Sequence, residues 1–336
     1  MSKPPVVIPL GAMRFNSDMQ KLEFFNGMEW LQVDTFNPNL DGGCRGFFAD
    51  GYTGPSYSNE IIYITIPITS NGTDFGDLSA AKSEGGSGSS NTRGLFAGGA
   101  DPDRSNVIDY ITMSSTGNSI DYGDLTRKSS QGTGISNQTR FIMCGGSPDG
   151  GGTTDTCDYN TLASTGNSVD FGNLSASMEW LAGAQSPTRG LIGGGYNHPN
   201  SYNSIQYITI ASLGDAQDFG DLSQDGSWLN GGLSNPIRGV FGGSYDTVIE
   251  YVTIATKGNS QDFGDLTDDR GDLATSSDCV RGVFSCGRSA PGPSVVNTMD
   301  YITIMTEGNA VDFGDIGSAG RATLFGSVST GHGGLG

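Results

Sequence analysis

The residues best suited to chemistry in this chain recur as a repeated set. Six times a tyrosine is followed 11 residues later by the aspartate of an Asp-Phe-Gly or Asp-Tyr-Gly segment, which we interpret as a turn. These aspartates are Asp74, Asp121, Asp170, Asp218, Asp262 and Asp312. An arginine also recurs once per unit, at Arg45, Arg93, Arg140, Arg189, Arg238 and Arg281. We expect a structural role for this set, with each arginine held by a carboxylate or by turn carbonyls of the same or the adjacent unit.

These residues give little indication of a catalytic site. The aspartate of an Asp-Phe-Gly motif binds magnesium in protein kinases, but six copies without a lysine strand or a partner helix exclude that interpretation. Only two histidines, His198 and His332, could take part in a Ser-His-Asp arrangement, and His198 lies in a polar loop. Because a residue that occurs once per unit is better suited to maintaining the unit, we expect no enzyme activity and no catalytic residue.

Metal and disulfide chemistry are also not expected. Calcium held by the acidic segments is an alternative, but no run shows the dense Asp/Asn alternation of a calcium loop. The five cysteines are too few and too irregular for a disulfide framework, and none form a Cys-x-x-Cys pair that would suit zinc. We expect free cysteines that act as small hydrophobic residues, synthesis in a reducing cytoplasm, and neither a cofactor nor a metal. The cysteines are Cys44, Cys144, Cys157, Cys279 and Cys286.

The elements that position these residues follow from self-similarity at a period of about 45 to 50 residues. In the unit that begins at Arg238, a short apolar run ends in glycines, and residues 249–254 alternate as a strand does. A hairpin signal at 257–259 and a last short strand at 261–266 complete the unit. Four short strands per unit are typical of a β-propeller blade, whereas the coils of the rival β-helix are usually shorter. With 54 glycines in 336 residues, we expect an all-β chain.

The number of units follows from the spacing between each acidic segment and the next repeat arginine. In the first five units the last acid of the segment, or Asn173 in the third, lies 16 or 17 residues before that arginine. The sixth, Asp315, projects to Gly331, so the chain ends just after the first strand of a seventh unit. We therefore predict six blades over residues 41–336. The C-terminal strand is expected to complete the first blade, which leaves no free sheet edge.

Two sequence patterns in the repeats carry a family resemblance. The run Arg93-Gly-Leu-Phe-Ala-Gly-Gly99 resembles the arginine strand of Kelch-type propellers, although tryptophan is present only at Trp30, Trp180 and Trp228. The longer pattern Tyr-Ile-Thr-Ile-x-x-x-Gly-Asn-x-x-Asp-Phe-Gly-Asp-Leu resembles repeats in virion structural proteins of marine tailed phages, over nearly the whole chain from residue 41. The resemblance implies a Kelch-like six-bladed β-propeller that belongs to a virion.

Residues 1–40 form a different segment. Residues 1–10 carry three prolines and lack the apolar core of a signal peptide. Three short strands are expected over 11–16, 21–27 and 29–33, with a tight turn at Asn26-Gly27. The pattern resembles a hairpin of phage tail-fibre and other phage virion proteins, in which tyrosine is common at the position of Phe25. The resemblance implies an anchoring and docking segment that binds other virion proteins, with Arg14, Phe15, Leu22, Phe24, Phe25 and Trp30 as the docking residues.

An alternative role for residues 1–40 is a β-meander that packs against one face of the propeller. Strands this short rarely bury an apolar face alone, which favours an oligomer on the particle.

Length variation is concentrated in one loop of each unit, between the second and third strands. The distance from the repeat arginine to the repeat tyrosine ranges from 13 to 20 residues, while the other spacings are nearly constant. These loops span residues 51–59, 100–106, 147–156, 196–203, 244–247 and 288–297. Variable loops on a rigid scaffold are where binding usually resides.

The aromatic residues of these loops and of the connections between units are the candidate ligand-binding residues. Aromatic faces flanked by amides and carboxylates suit a carbohydrate or a flat protein surface. For the two tryptophans of the set, packing between blades is the alternative. The candidates are Tyr52, Tyr57, Trp180, Tyr196, His198, Tyr202, Trp228 and Tyr245.

Composition narrows the function further. Thirty-six acidic against 17 basic residues give a net charge of −19, and a chain this acidic without a basic stripe would be repelled by nucleic acid. No apolar run approaches the roughly 18 to 20 residues that span a bilayer, so membrane insertion is not expected. We expect a virion structural protein, either a tail-fibre or adhesin-type head that binds a host glycan or protein, or a capsid or neck decoration. A cellular Kelch-like scaffold that binds proteins is the alternative, and a propeller enzyme is a more distant one.

Overall fold

The computed structural model describes residues 8–9, 11–16, 21–32, 44–53, 56–224, 226, 231–289, 294–317 and 326–335. The chain divides into two compact units, Met1–Gly42 (unit 1) and Gly43–Gly336 (unit 2). Within the described ranges every regular element is a β-strand, apart from one turn of 3-10 helix at Gly333–Leu335. The predicted all-β class is therefore confirmed.

Unit 1 is a three-stranded antiparallel sheet of Met13–Asn16, Lys21–Phe25 and Trp30–Gln32, paired in that order. The second and third strands are joined by the tight turn expected at Asn26-Gly27. The Asn26 side chain accepts hydrogen bonds from the backbone N–H groups of Met28 and Glu29, both at 2.9 Å. Gly27 supplies the positive φ, 96°, that such a turn requires.

The two faces of unit 1 differ in character. On one face the Arg14 Nε donates to Glu23 Oε2 at 2.7 Å, and the guanidinium lies 4.2 Å from the centre of the Trp30 ring. On the other face the strand register places three residues side by side, and all three are exposed. We call this set the apolar row, and its members are Met13, Phe24 and Leu31.

Unit 2 contains six antiparallel sheets of four main strands each, named sheets I to VI in the order of their arginine strands. Strands are listed in hydrogen-bonding order from the first to the fourth. Sheet I contains Gly326–Ser329, Arg45–Tyr52, Tyr57–Thr65 and Thr73–Asp77; sheet II contains Gly86–Ser89, Arg93–Ala97, Val107–Thr112 and Ile120–Asp124; sheet III contains Thr133–Ser136, Arg140–Cys144, Thr156–Thr161 and Val169–Asn173. Sheet IV contains Ala182–Gln185, Arg189–Gly193, Ser204–Thr209 and Gln217–Asp221; sheet V contains Gly231–Ser234, Arg238–Gly242, Ser244–Thr253 and Gln261–Gly271; sheet VI contains Ala274–Ser277, Arg281–Ser285, Thr298–Thr303 and Val311–Asp315.

Short strands supplement these sheets. Arg288–Ser289 adds to the edge of sheet V, Ser129–Ser130 pairs with Ser147–Pro148, and Tyr196–Asn197 pairs with Asn200–Ser201.

The core of unit 2 lies between neighbouring sheets. Each of six hydrophobic clusters combines side chains of two consecutive sheets, and one of them joins sheet VI to sheet I through Val283, Phe313, Phe48 and Ile64. The first strands also contact one another from sheet II onward through sheet VI and sheet I and back to sheet II. The six sheets therefore form a closed cycle in which the C-terminal strand Gly326–Ser329 lies beside Arg45–Tyr52.

The Asp-Phe-Gly segments lie on the fourth strands, which agrees with the last short strand expected over 261–266, and the interpretation of these segments as turns is wrong. The phenylalanine or tyrosine of each segment is buried, and the ladder to the third strand is bulged near the glycine. The glycine is required because the next sheet passes close by. A Cβ on Gly76 would lie 2.4 Å from the carbonyl oxygen of Gly117, in the hairpin between the last two strands of sheet II.

The repeat arginines contact the next sheet rather than the repeat aspartates. Arg93 Nη1 donates to the Leu162 carbonyl at 2.8 Å, and Arg281 Nη1 donates to the Ile66 carbonyl at 3.1 Å, which joins sheet VI to sheet I. Each guanidinium also lies over the repeat tyrosine of its own sheet, with ring distances from 4.1 to 5.1 Å. Among the described residues no ion pair joins a repeat arginine to a repeat aspartate, and the turn carbonyls of the next sheet are the usual partners. Arg238 also meets a carboxylate of the next sheet, because its Nη2 lies 3.2 Å from Glu307 Oε1. The six aspartates lie on the fourth strands, where they are exposed.

Two cysteines correct the expectation of free thiols. Cys144 and Cys157 lie directly opposite each other on the second and third strands of sheet III, with Cα atoms 4.1 Å apart, and they form a disulfide. The sequence did not reveal this pair because Cys157 lies 13 residues further on, outside the arginine strand where the other cysteines cluster. Cys44, Cys279 and Cys286 are free.

Candidate functional site

The candidate site lies where the connections between sheets meet the variable loops. In the connections that lead into sheets II, III, IV and VI, one or two residues near the end of the connection pair with the loop between the second and third strands of the sheet it enters. Examples are the bridges Glu179–Tyr196 and Ser83–Ala100, and the ladder pair Gly271–Arg288. The constant connections and the variable loops therefore meet at one end of unit 2.

Four residues at equivalent repeat positions in these connections adopt left-handed backbone conformations. Their φ values are 61° for Glu84, 63° for Gln131, 58° for Trp180 and 54° for Asp272. Positive φ is unfavourable for residues other than glycine, and most so for bulky ones such as tryptophan. The backbones are linked in series, since the N–H of Gln131 donates to Glu84 and the N–H of Trp180 donates to Gln131. These four residues, which we call the mouth residues, line one end of a central cavity.

Burial controls the electrostatics of the mouth. It raises the pKa of the Glu84 carboxyl, an effect opposed by a 2.8 Å hydrogen bond from the Gln131 side-chain amide. Burial also raises the pKa of Asp272, opposed by the hydroxyl of Tyr245 at 2.6 Å and by the nearby Arg288. The negative charge of Asp272 raises the pKa of Glu84 further, whereas Arg288 lowers it.

The cavity runs along the first strands, and the centre of a water molecule can occupy a volume of about 110 Å³ within it, which is several times the roughly 10–15 Å³ that one water molecule needs. Neighbouring first strands lie close together around the cavity, and glycines on these strands permit this close approach. A Cβ on Gly134 would lie 2.0 Å from the Ser87 carbonyl oxygen, and one on Gly232 would lie 2.4 Å from that of Gly183. The wall is accordingly formed largely by backbone groups and small polar side chains, and it also includes Leu181, Leu233, Leu273 and Val328.

His332 closes the other end of the cavity. The ring is 5% exposed, and its Nε2 lies 3.0 Å from the Ser89 carbonyl, to which it donates. Its Nδ1 accepts from the Gly334 N–H at 3.1 Å and from the Gln185 side-chain amide at 3.2 Å. All three contacts are satisfied by one neutral tautomer. Burial lowers the pKa of His332 to about 4, in agreement with that protonation state.

Serines link the first strands around this closed end. Ser89 Oγ donates to the Ser329 carbonyl at 2.8 Å, and Ser329 Oγ donates to the Ser277 carbonyl at 2.6 Å. Ser277 Oγ in turn donates to the Ser234 carbonyl at 2.9 Å. These bonds join first strands that belong to different sheets, so the serine hydroxyls link neighbouring sheets to one another.

Three predicted ligand-binding residues are joined by a polar network that the sequence analysis did not foresee. The Tyr52 and Tyr57 rings pack at a tilt of 58° with their centres 5.6 Å apart, and the guanidinium of Arg288 lies 5.6 Å from the Tyr52 ring. Arg288 Nε is 3.3 Å from Asp272, which also accepts from Tyr245. Loops of sheets I, V and VI therefore meet beside the mouth.

The other predicted ligand-binding residues are divided. The Tyr196 hydroxyl and His198 Nδ1 are 2.8 Å apart, and His198 is exposed as expected. Tyr202 packs against the core cluster between sheets III and IV. Trp180 is only 6% exposed, so it does not lie on the outer surface as expected but below it, against the cavity. Trp228 lies outside the described residues.

Three groups of functional side chains were missed by the sequence analysis. The serines at the closed end have a signal, because a serine, or Gln185 in sheet IV, stands four residues before each repeat arginine from Arg93 onward. His332 has no such signal, since it occurs once, after the last strand. A third group consists of buried ion pairs that join a connection to the third strand of the sheet after it, such as Arg127–Asp158 at 2.8 Å and Lys82–Asp109 at 3.9 Å.

Within the described ranges no cluster of three or more His, Cys, Asp or Glu side chains is arranged to hold a metal ion. Over the same part of the chain, no helix is long and apolar enough to cross a membrane.

Comparison with known proteins does not assign the chain to a family. No protein-family model matches it, and no curated protein matches it. The geometry of the described residues is therefore the main basis on which a function can be argued.

Proposed function

We propose that unit 2 is a six-bladed, Kelch-like β-propeller and that the chain is a virion structural protein. In this proposal the propeller is a non-enzymatic recognition head that binds a host-surface ligand through the end that carries the mouth residues and the variable loops. The closed cycle of six sheets supports the propeller, and the sequence resemblance to phage virion repeats supports the particle.

The observation that carries the recognition role is a contrast between two classes of repeat position. The arginine and tyrosine of each unit keep their identity and hold neighbouring sheets together. The mouth positions keep their backbone conformation, yet they carry Glu84, Gln131, Trp180 and Asp272. Since a uniform scaffold needs no such variety, these side chains are better explained by contact with an asymmetric ligand.

Unit 1 supplies the proposed attachment to the particle. Of the predicted docking residues, Arg14, Phe25 and Trp30 contact one another or Glu23 on one face of the sheet. Phe24 lies on the opposite face in the apolar row with Met13 and Leu31, which were not predicted. We propose that the apolar row docks onto another virion protein, because a small sheet gains stability when such a face is covered. The strand bearing Phe15 and that bearing Leu22 pair in register, so both belong to this sheet.

Competition for adsorption tests the recognition role. The purified full-length chain is expected to reduce adsorption of particles that carry it to host cells, because both would occupy the same ligand. The Asp272→Asn variant, which alters the mouth, should compete less well, whereas Asp74→Asn, at an exposed site on the fourth strand of sheet I, should compete as the parent does. Equal competition by both variants, or no competition by the parent chain, would overturn the recognition role.

Particle incorporation tests the docking role. Replacing the apolar row with serines should leave unit 2 folded and reduce the amount of the chain in purified particles. Met28→Ser is the matched control, because Met28 is 93% exposed in the turn and lies outside the row. Absence of the parent chain from purified particles would instead favour a cellular protein-binding scaffold.

A further inference from the structure

The central cavity breaks the symmetry of the scaffold that surrounds it. Its walls come from equivalent first strands, but its mouth has carboxylates on Glu84 and Asp272, an amide on Gln131 and an indole on Trp180. Glu84 and Gln131 are partly exposed, which leaves the mouth open, while His332 and the residues after it close the other end. The cavity is therefore a pocket with its entrance on the variable-loop side.

The charge of the lining selects the sign of a ligand. Two carboxylates and no lysine or arginine occur among the described residues that line the cavity. Arg288, from outside the lining, partly offsets the charge of both Asp272 and Glu84, and the hydrogen bond that Glu84 receives comes from the neutral amide of Gln131. An anionic ligand would meet repulsion here, and a cationic group would relieve the mutual repulsion of the carboxylates.

The rest of the lining selects the chemistry that surrounds the cation. An indole attracts a cation over its face and also packs against the apolar face of a sugar ring. Below it the wall is formed largely by peptide groups and by hydroxyls such as that of Thr133, which suit a ligand with several hydroxyl groups. The leucines of the lining add apolar contacts of the kind that the face of a sugar ring also makes. The amide oxygen of Gln185, buried without a hydrogen-bond partner among the described residues, adds an acceptor near the closed end.

We propose that this pocket binds a sugar that carries a free amino group, with the ammonium held by Glu84 and the ring against Trp180. The inference deepens the proposed recognition role and rests on it, because it names the ligand class of the same end of unit 2.

Calorimetric titration of the full-length chain with four single sugars tests the proposal. Glucosamine carries the ammonium, N-acetylglucosamine and glucose are neutral, and glucuronate is anionic. We expect saturable binding of glucosamine, binding of the neutral sugars at least ~10-fold weaker, and the weakest binding for glucuronate. Absence of saturable glucosamine binding, or equal affinity for glucosamine and glucuronate, would overturn the proposal.

Variants locate the binding event. Glu84→Gln keeps an acceptor for Gln131 and should weaken glucosamine binding ~10-fold while leaving glucose binding unchanged. Asp74→Asn removes one exposed carboxylate elsewhere and should change neither affinity. Trp180→Leu is a second variant, expected to weaken binding of glucosamine and glucose together. Unchanged glucosamine affinity in Glu84→Gln, with an unchanged melting curve, would place the ligand elsewhere and overturn the proposal.

The two proposals fail in different ways. If glucosamine does not bind but the full-length chain still competes for adsorption, only the ligand class is wrong. If glucosamine binds but the chain does not compete, the pocket stands and the host-attachment role is wrong.

Discussion

At the scale of single residues, the repeat arginine connects two sheets with one side chain. Its guanidinium lies over the tyrosine of its own sheet and donates to a carbonyl at the end of the third strand of the next. The tyrosine in turn packs edge-on against the buried aromatic residue of the fourth strand, as Tyr159 does with Phe171. The repeat aspartate takes no part in this chain of contacts.

Replacing one arginine should reveal this role. Arg140→Gln removes the 2.9 Å bond to the Ile210 carbonyl and the contact with the Tyr159 ring, and should lower the free energy of unfolding by about 2 kcal/mol. Asp170→Asn, in the same sheet and exposed, should change it by less than about 0.5 kcal/mol. Urea unfolding curves measure both. An equal loss in the two variants would restore the expected arginine–aspartate pair.

His332 should make stability depend on pH. Its pKa is lowered from 6.5 to about 4 on folding, so below pH 6.5 the unfolded chain binds a proton that the folded chain does not. The resulting stability is present above pH 6.5 and is lost as pH falls toward 4, by about 2 kcal/mol between pH 6.5 and pH 5. His332→Gln should be less stable at neutral pH but should lack this part of the slope. Parallel pH profiles of the two chains would show that His332 does not titrate in this way.

At the scale of elements, the repeat spacing was sufficient to predict strands and their order. The arginine, tyrosine and acidic segments lie on the second, third and fourth strands because each segment combines β-forming residues with turn residues at constant intervals. Contacts between sheets were less predictable. The spacing shows that Arg93 and Asp121 recur together, but not that Leu162 lies closer to the guanidinium than the carboxylate does.

The candidate site was predicted only in part, for a related reason. Loop-length variation identified the end of unit 2 where Tyr52, Tyr57 and Tyr245 lie, because loops vary where they are not needed for the scaffold. It did not identify Glu84 or Asp272, since their importance comes from a backbone conformation that sequence spacing does not show. His332 was missed because a single residue in a terminal segment has no periodic signal.

Two glycines, one on the fourth strand of sheet III and one in the hairpin of sheet IV, offer a test of how the sheets are joined. Gly172 and Gly214 have nearly equal φ values, 147° and 146°, so alanine at either should cost backbone strain of about 1–3 kcal/mol. Only at Gly172 would the new Cβ also meet the next sheet, 2.5 Å from the Gly214 carbonyl oxygen, whereas at Gly214 nothing lies within 4 Å. Gly172→Ala should therefore lose about 1–3 kcal/mol more than Gly214→Ala in urea unfolding. Equal losses would mean that the contact between sheets III and IV contributes little.

At the scale of the whole of unit 2, closure depends on contacts between residues far apart in the sequence. Sheet I takes its first strand from Gly326–Ser329 and its other three from residues 45–77, and Arg45 N–H donates to Thr330 Oγ1 at 3.0 Å. Ser87 Oγ accepts from the Ser327 N–H, which extends the link to sheet II. A cycle closed in this way leaves neither end sheet with an uncovered face, so closure should contribute to the stability of every sheet.

Removal of residues 318–336 should therefore affect all of unit 2. The deletion takes away the first strand of sheet I and the His332 contacts, and it exposes the edge of Arg45–Tyr52 together with the apolar residues that pack against Val328. Unpaired strand edges promote association, so the truncated chain should aggregate or melt well below the full-length chain. Size-exclusion chromatography and thermal melting measure the two effects.

A chain that lacks residues 1–40 is the matched control. It should stay monomeric, and the melting temperature of unit 2 should be unchanged, because this chain keeps every strand of the six sheets. A truncated chain that stays monomeric and melts as the full-length chain does would show that the C-terminal strand is not needed to close the cycle.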